Sequence, residues 1–104
     1  MTVIRLTPDQ FREKAAETPG VLLDVRTPSE FEGGHIEGAA NLDFLGGVFA
    51  DEFAKLDPAQ TYYLYCASGN RSGKSAQLMI EAGYTAYNVG GFQELASAGY
   101  PVEY

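Results

Sequence analysis

Tyr62-Tyr63-Leu64-Tyr65-Cys66-Ala67-Ser68-Gly69-Asn70-Arg71-Ser72 is the stretch on which the reading of this chain turns. Tyr62 to Tyr65 is aromatic on both faces, which suits a strand covered on both sides. From Ser72 to Ala82 the period changes: Ala76, Met79 and Ile80 face one side of a helix, and Gly83 supplies its stop. A strand, a short polar loop and a helix form the repeating unit of parallel α/β sheets, where ligands bind beyond the C-terminal ends of strands. Cys66 stands at that place.

The alternation continues outward in both directions. Upstream, Val3-Ile4 predicts a short first strand, and Thr7-Pro8-Asp9-Gln10 starts a helix that runs to about Glu17, with Thr7 as N-cap and Gln10 closing a capping box. Val21 to Val25 predicts a buried parallel strand. Thr27-Pro28-Ser29-Glu30 repeats the helix start, and Gly33-Gly34 ends it. Ala39 to Leu42 reads as a brief strand, and Phe49, Phe53 and Leu56 predict one helix over Val48 to Leu56. Downstream, Thr85 to Val89 is a last strand, followed by a short helix bearing Phe92, Leu95 and Ala96. The expected architecture is a three-layer α/β domain: a central, mostly parallel five-stranded sheet with helices on both faces.

Composition sets the outer bounds. The chain has 104 residues, enough for one domain spanning 1–104 and too few for two ordinary ones. Hydrophobic residues at 45% and charged residues at 20% fit a folded soluble domain. Acids outnumber bases 14 to 7, and a formal charge of -7 argues against nucleic-acid or membrane-surface partners. One cysteine excludes an intramolecular disulfide, a two-cysteine zinc cage and a C-x-x-C redox pair, and no metal site is expected. Charged residues interrupt every apolar run in residues 1–20, so a signal peptide is not expected and the cytoplasm is the default compartment.

The charge map singles out the loop after Cys66. No Asp or Glu occurs from Pro58 to Ile80, a gap of 23 residues, although acids otherwise average about one in six. Both bases in the gap, Arg71 and Lys74, stand at a helix start, where the dipole disfavours cations unless an anion is bound. Gly69 and Asn70 tolerate positive φ, so the loop can curl until its N–H groups converge into an anion nest. A thiol at the centre of that nest is acidified. Cys66 is therefore the candidate nucleophile, with the loop residues Ala67, Ser68, Gly69, Asn70, Arg71 and Ser72 as the anion-binding set. Asp24, Arg26 and Lys74 are supporting candidates: the first two sit at a strand exit within reach of the loop. Glu30 fits its capping box. His35 is expected to be packed or hydrogen-bonded, since a loop that favours thiolate needs no general base.

These residues carry a resemblance. Leu22 to Phe31 and Gly34 to Asn41 are similar to the N-terminal signature of single-domain rhodaneses, Tyr65 to Ser72 to their active loop, and Val89 to Phe92 with Ala98 to Val102 to their C-terminal pattern. The resemblance covers about Thr7 to Val102. It implies the rhodanese fold, no cofactor, and a sulfurtransferase that moves sulfur from a small sulfur-containing anion such as thiosulfate, through a persulfide on Cys66, to cyanide or a thiol, including a protein thiol. Loop N–H groups would stabilise the persulfide, and Arg71 would orient the donor. Two other readings stay open: a rhodanese-like binding or sulfur-carrier module with little turnover, and a phosphatase or arsenate-reductase relative. The latter place five residues between Cys and Arg, whereas four lie between Cys66 and Arg71. Many thiosulfate-using members also carry a basic residue where this chain has Ala67, and a tryptophan where it has Leu95.

Overall fold

The computed structural model describes residues 2–104. Two of its helices begin as the sequence predicts. Thr7 accepts from Gln10 N at 3.1 Å while Gln10 returns a bond to Thr7 N at 2.9 Å, starting α1 (Pro8–Glu17). Thr27 and Glu30 do the same for α2 (Pro28–Glu32). The strands β1 (Val21–Asp24), β2 (His35–Ile36), β3 (Ala40–Asn41), β4 (Thr61–Cys66), β5 (Thr85–Gly91) and β6 (Val102–Glu103) alternate with α3 (Val48–Glu52), α4 (Asn70–Glu81) and α5 (Phe92–Ser97).

The main sheet runs β3-β1-β4-β5 and every pairing in it is parallel. It has four strands rather than five. The Val3-Ile4 segment supplies only a bridge, Arg5 opposite Asn88, because Thr7 and Pro8 turn the chain into α1 before a ladder can lengthen. β2 and β6 form a separate antiparallel ribbon that the sequence reading missed; two residues are too few for a periodic signal. The helix expected over Val48 to Leu56 is α-helical only to Glu52 and tightens into a 3-10 turn at Phe53–Lys55.

Alternation along β4 creates the layers. Tyr62, Leu64 and Cys66 join the core shared with Phe49 of α3 and Ala76 and Met79 of α4, while Tyr63 and Tyr65 join the opposite core with Phe11 of α1 and Leu95 of α5. Side chains at successive strand positions point to opposite faces, so one strand anchors both cores. Among the described residues no helix is long and apolar enough to cross a membrane.

At the C-terminal end of β1 the chain buries a charged pair. Asp24 and Arg26 are joined by Arg26 Nη2 donating at 2.8 Å and Nε at 3.1 Å, and Tyr65 OH donates to Asp24 at 2.7 Å. Arg26 also reaches the Gly34 carbonyl at 2.7 Å and lies 4.4 Å from the centre of the Phe92 ring. Tyr65 OH in turn accepts from Ile36 N at 2.9 Å. Among the described residues no fully buried side-chain nitrogen or oxygen lacks a hydrogen-bond partner, which offsets the desolvation of two charges.

Replacing Asp24 by Ala would leave the Arg26 guanidinium buried and unpaired. Urea unfolding should then show a loss of about 3–5 kcal/mol; a loss below about 1 kcal/mol would show that the pair does not hold this corner.

Candidate active site

Cys66 closes β4, its residue wholly buried, and the chain turns at once into the loop that surrounds its sulfur. Gly69 makes the turn with φ +98°, a conformation that L side chains rarely adopt, and α4 starts at the next residue. Asn70 is therefore the first helical residue, two positions before the expected start at Ser72, and the loop's positive φ falls on Gly69. Gly69 N donates to Cys66 Sγ at 3.0 Å, and Ser72 Oγ lies 3.4 Å from the same sulfur.

Burial pushes the Cys66 thiol up, but the N–H groups of Ser72, Ser68 and Gly69, together with the Ser72 hydroxyl when its one proton turns from Asn88 to the sulfur, outweigh it, so its pKa falls below the ordinary thiol value. This is the physical content of the nest: donors aimed at one atom favour its charged form. Ala67 and Ser68 are exposed at the rim.

Asn88, which the sequence reading did not single out, locks the cradle. Its Nδ2 donates to the Gly69 carbonyl at 2.9 Å, and its Oδ1 accepts from Ser72 Oγ at 2.7 Å and Gly90 N at 3.1 Å. A signal was available: a polar amide inside the otherwise apolar run Ala86 to Val89 has to find partners if that strand is buried. At the same corner β5 carries an extra residue between Asn88 and Gly91, so Gly91 comes to lie beside Cys66. A β-carbon on Gly91 would stand 2.5 Å from the Ala67 carbonyl oxygen, so only glycine lets β5 pass this close.

Arg71 reaches across to α2, donating to Glu30 at 2.8 and 3.1 Å. The acid-free stretch read from the sequence therefore has a carboxylate delivered to it by the fold. Arg71, hydrogen-bonded to Glu30, is held above its ordinary pKa, and Glu30 is lowered from 4.5 to about 2, first by Arg71 and then by the Thr27 cap.

Lys74 does not bond to the sulfur but borders the loop. It lines an open groove of about 530 Å³ that Gly69 and Asn70 of the loop line as well, together with Val3, Phe44, Gln77 and Leu78, and among the described residues no hydrogen bond or ion pair joins it to Cys66. Asp24 and Arg26 brace the end of β1 next to Tyr65 and do not touch the sulfur either. His35 stacks on Phe31 at 3.7 Å and donates from Nδ1 to the Phe31 carbonyl at 2.9 Å, a packed histidine. No three acidic, cysteine or histidine side chains among the described residues are grouped to hold a metal ion.

With this fold and a cysteine cradled by backbone N–H groups, the chain belongs to the rhodanese-like domain family, whose pattern it matches over residues 7–98. It is 34% identical over 100 residues to the thiosulfate sulfurtransferase GlpE of Pseudomonas putida, covering 95% of this chain and 89% of that protein. It is 40% identical over 91 residues to the uncharacterized protein YqhL of Bacillus subtilis, covering 86% of this chain and 69% of that one. The crystal structure of a rhodanese-related protein from Thermoplasma volcanium superposes with a TM-score of 0.82 at 27% identity, covering 96% of this chain and 97% of the other.

Two outcomes follow from the charges. Ser72→Ala should move the pH midpoint of Cys66 alkylation up by roughly one unit, since it removes a hydroxyl whose one proton turns from Asn88 to the sulfur when the thiolate forms; an unmoved midpoint would show that the proton stays on Asn88 and does not act on the sulfur. Glu30 has its folded pKa depressed, so its contribution to stability is present above about pH 4.5 and lost as pH falls toward about 2. Glu30→Gln should accordingly flatten the acid limb of the stability profile in that window, and superimposable profiles would contradict the pairing.

Proposed function

We propose that this chain is a sulfurtransferase that carries a sulfane sulfur as a Cys66 persulfide, with thiosulfate or a similar small anion as donor. The observation that carries the proposal is the hydrogen bond from Gly69 N to Cys66 Sγ at 3.0 Å inside a loop whose other N–H groups also favour the thiolate. The GlpE relative's name, thiosulfate sulfurtransferase, supports the donor class.

The steps balance without a cofactor. Cys66 thiolate attacks the outer sulfur of thiosulfate; an S–S bond forms to Cys66, the S–S bond of thiosulfate breaks, and sulfite leaves with the electron pair. A nucleophilic acceptor, cyanide or a thiol, then attacks the outer sulfur. Cys66 leaves as thiolate, and thiocyanate or a new persulfide departs. The loop N–H groups from Ala67 to Ser72 stabilise the anion at both stages by preorganised donors. Arg71, held on Glu30 and near enough to Cys66 for the two charges to interact, orients the donor. With one cysteine in the chain, no second thiol within it strips the persulfide.

Mass spectrometry after thiosulfate treatment should show one added sulfur on Cys66 that thiols remove. Cys66→Ser should stay folded and lose all transfer. A folded wild-type protein that never gains the sulfur from any sulfane donor would overturn the proposal.

A further inference from the structure

Arg5 is a cation that the fold brings to the active loop and that the chemistry above does not use. The segment bearing it runs beside β5: Asn88 N donates to the Ile4 carbonyl at 3.0 Å and Leu6 N to the Asn88 carbonyl at 2.8 Å. Its guanidinium is thereby laid over the glycine corner of the loop. Nη1 and Nη2 lie 2.6 and 3.2 Å from the point where a β-carbon on Gly69 would stand, and Nη2 lies 3.2 Å from the corresponding point on Gly90. Gly69 is the left-handed residue whose N–H donates to the sulfur. Arg5 thus covers the backbone that holds Cys66.

Glu94 of α5 anchors this arrangement. Its Oε1 accepts from Arg5 Nη2 at 3.2 Å and from Gly91 N at 3.3 Å. The other cations near the sulfur are committed elsewhere: Arg71 to Glu30 through two bonds, and Arg26 to Asp24 in the buried pair. Lys74 lines the groove with Gly69 and Asn70 and has no hydrogen bond or ion pair to Glu94 or Cys66 among the described residues. The Arg5–Glu94 pair is a single contact between half-exposed side chains.

We infer that Arg5 is a positioning residue for Cys66: it steadies the Gly69 corner, and its charge favours the thiolate and an anionic donor where Ala67 supplies no cation. The donor clause rests on the sulfur-transfer reading above; the thiolate clause stands without it. A charge bordering solvent acts through a high effective dielectric, so the expected shift in the Cys66 titration is roughly half a pH unit.

The test uses the full chain with no ligand bound: the rate of Cys66 alkylation by iodoacetamide against pH, in wild type, Arg5→Gln, Arg5→Lys and Glu94→Gln. Arg5→Gln should raise the midpoint by roughly half a unit, and Arg5→Lys should restore most of it. Glu94→Gln keeps an acceptor for Gly91 N and removes a negative charge, so its midpoint should move down. High salt should shrink both shifts. For turnover, Arg5→Gln should raise the KM for thiosulfate severalfold with a smaller change in kcat. A purely structural clamp would move Arg5→Gln and Glu94→Gln the same way or not at all, and either result, or Arg5→Lys behaving like Arg5→Gln, overturns the inference. Absence of a persulfide in wild type would sink the sulfur-transfer reading and the donor clause with it, while the opposed midpoints would still decide the thiolate clause.

Discussion

A sulfur buried at the end of a strand can carry negative charge only if donors reach it, and here the backbone supplies them. That requirement sets the rest of the corner. Gly69 has to be left-handed so that its N–H turns back onto Sγ while α4 begins at the next residue. Asn88 has to sit in β5 opposite that turn to hold the Gly69 carbonyl, and β5 has to bulge so that Gly91 passes against Ala67. Rigid donors aimed in advance need no reorganisation when charge develops, which is what the proposed transfer through Cys66 asks of the loop.

Two anionic centres lie close together in this fold and are treated differently. Asp24 is satisfied entirely by side chains and backbone, with Arg26 and Tyr65 filling its coordination, and it holds the end of β1 in place. Cys66 is met by one short backbone bond and a longer contact from Ser72, which leaves capacity for a ligand. Both arginines named by the sequence are bound to carboxylates, so the N–H groups, more than free cations, set the local preference for an anion. The proposed transfer of sulfur from a small anion rests on this local preference, against the overall charge of -7.

Much of this was legible in the sequence because it rests on local rules. The capping boxes at Thr7 and Thr27, the doubly buried run before Cys66 and the glycine in the loop each have a cause within a few residues. The family followed from three ordered blocks. What escaped depends on residues distant in the chain: Glu30 was read correctly as a cap, but its second bond, to Arg71, spans 41 positions. Asn88 and Arg5 act only because β5 and the N-terminal segment lie side by side. The ribbon of β2 with β6 was missed because a two-residue pairing leaves no period to read, whereas the fifth strand expected at Val3-Ile4 shrinks to a single bridge because α1 starts so soon after it. Lys74, named for its nearness along the chain to the loop, lines a groove with Gly69 and Asn70 of that loop.

The central claim is that backbone N–H groups of the Cys66 loop hold the sulfur that is transferred. A crystal structure of the protein after thiosulfate treatment tests it most directly. The account predicts an outer sulfur on Cys66 Sγ, pointing into the loop and within hydrogen-bond distance of N–H groups between Ala67 and Ser72. An outer sulfur turned away from the loop and held by side chains alone would contradict it.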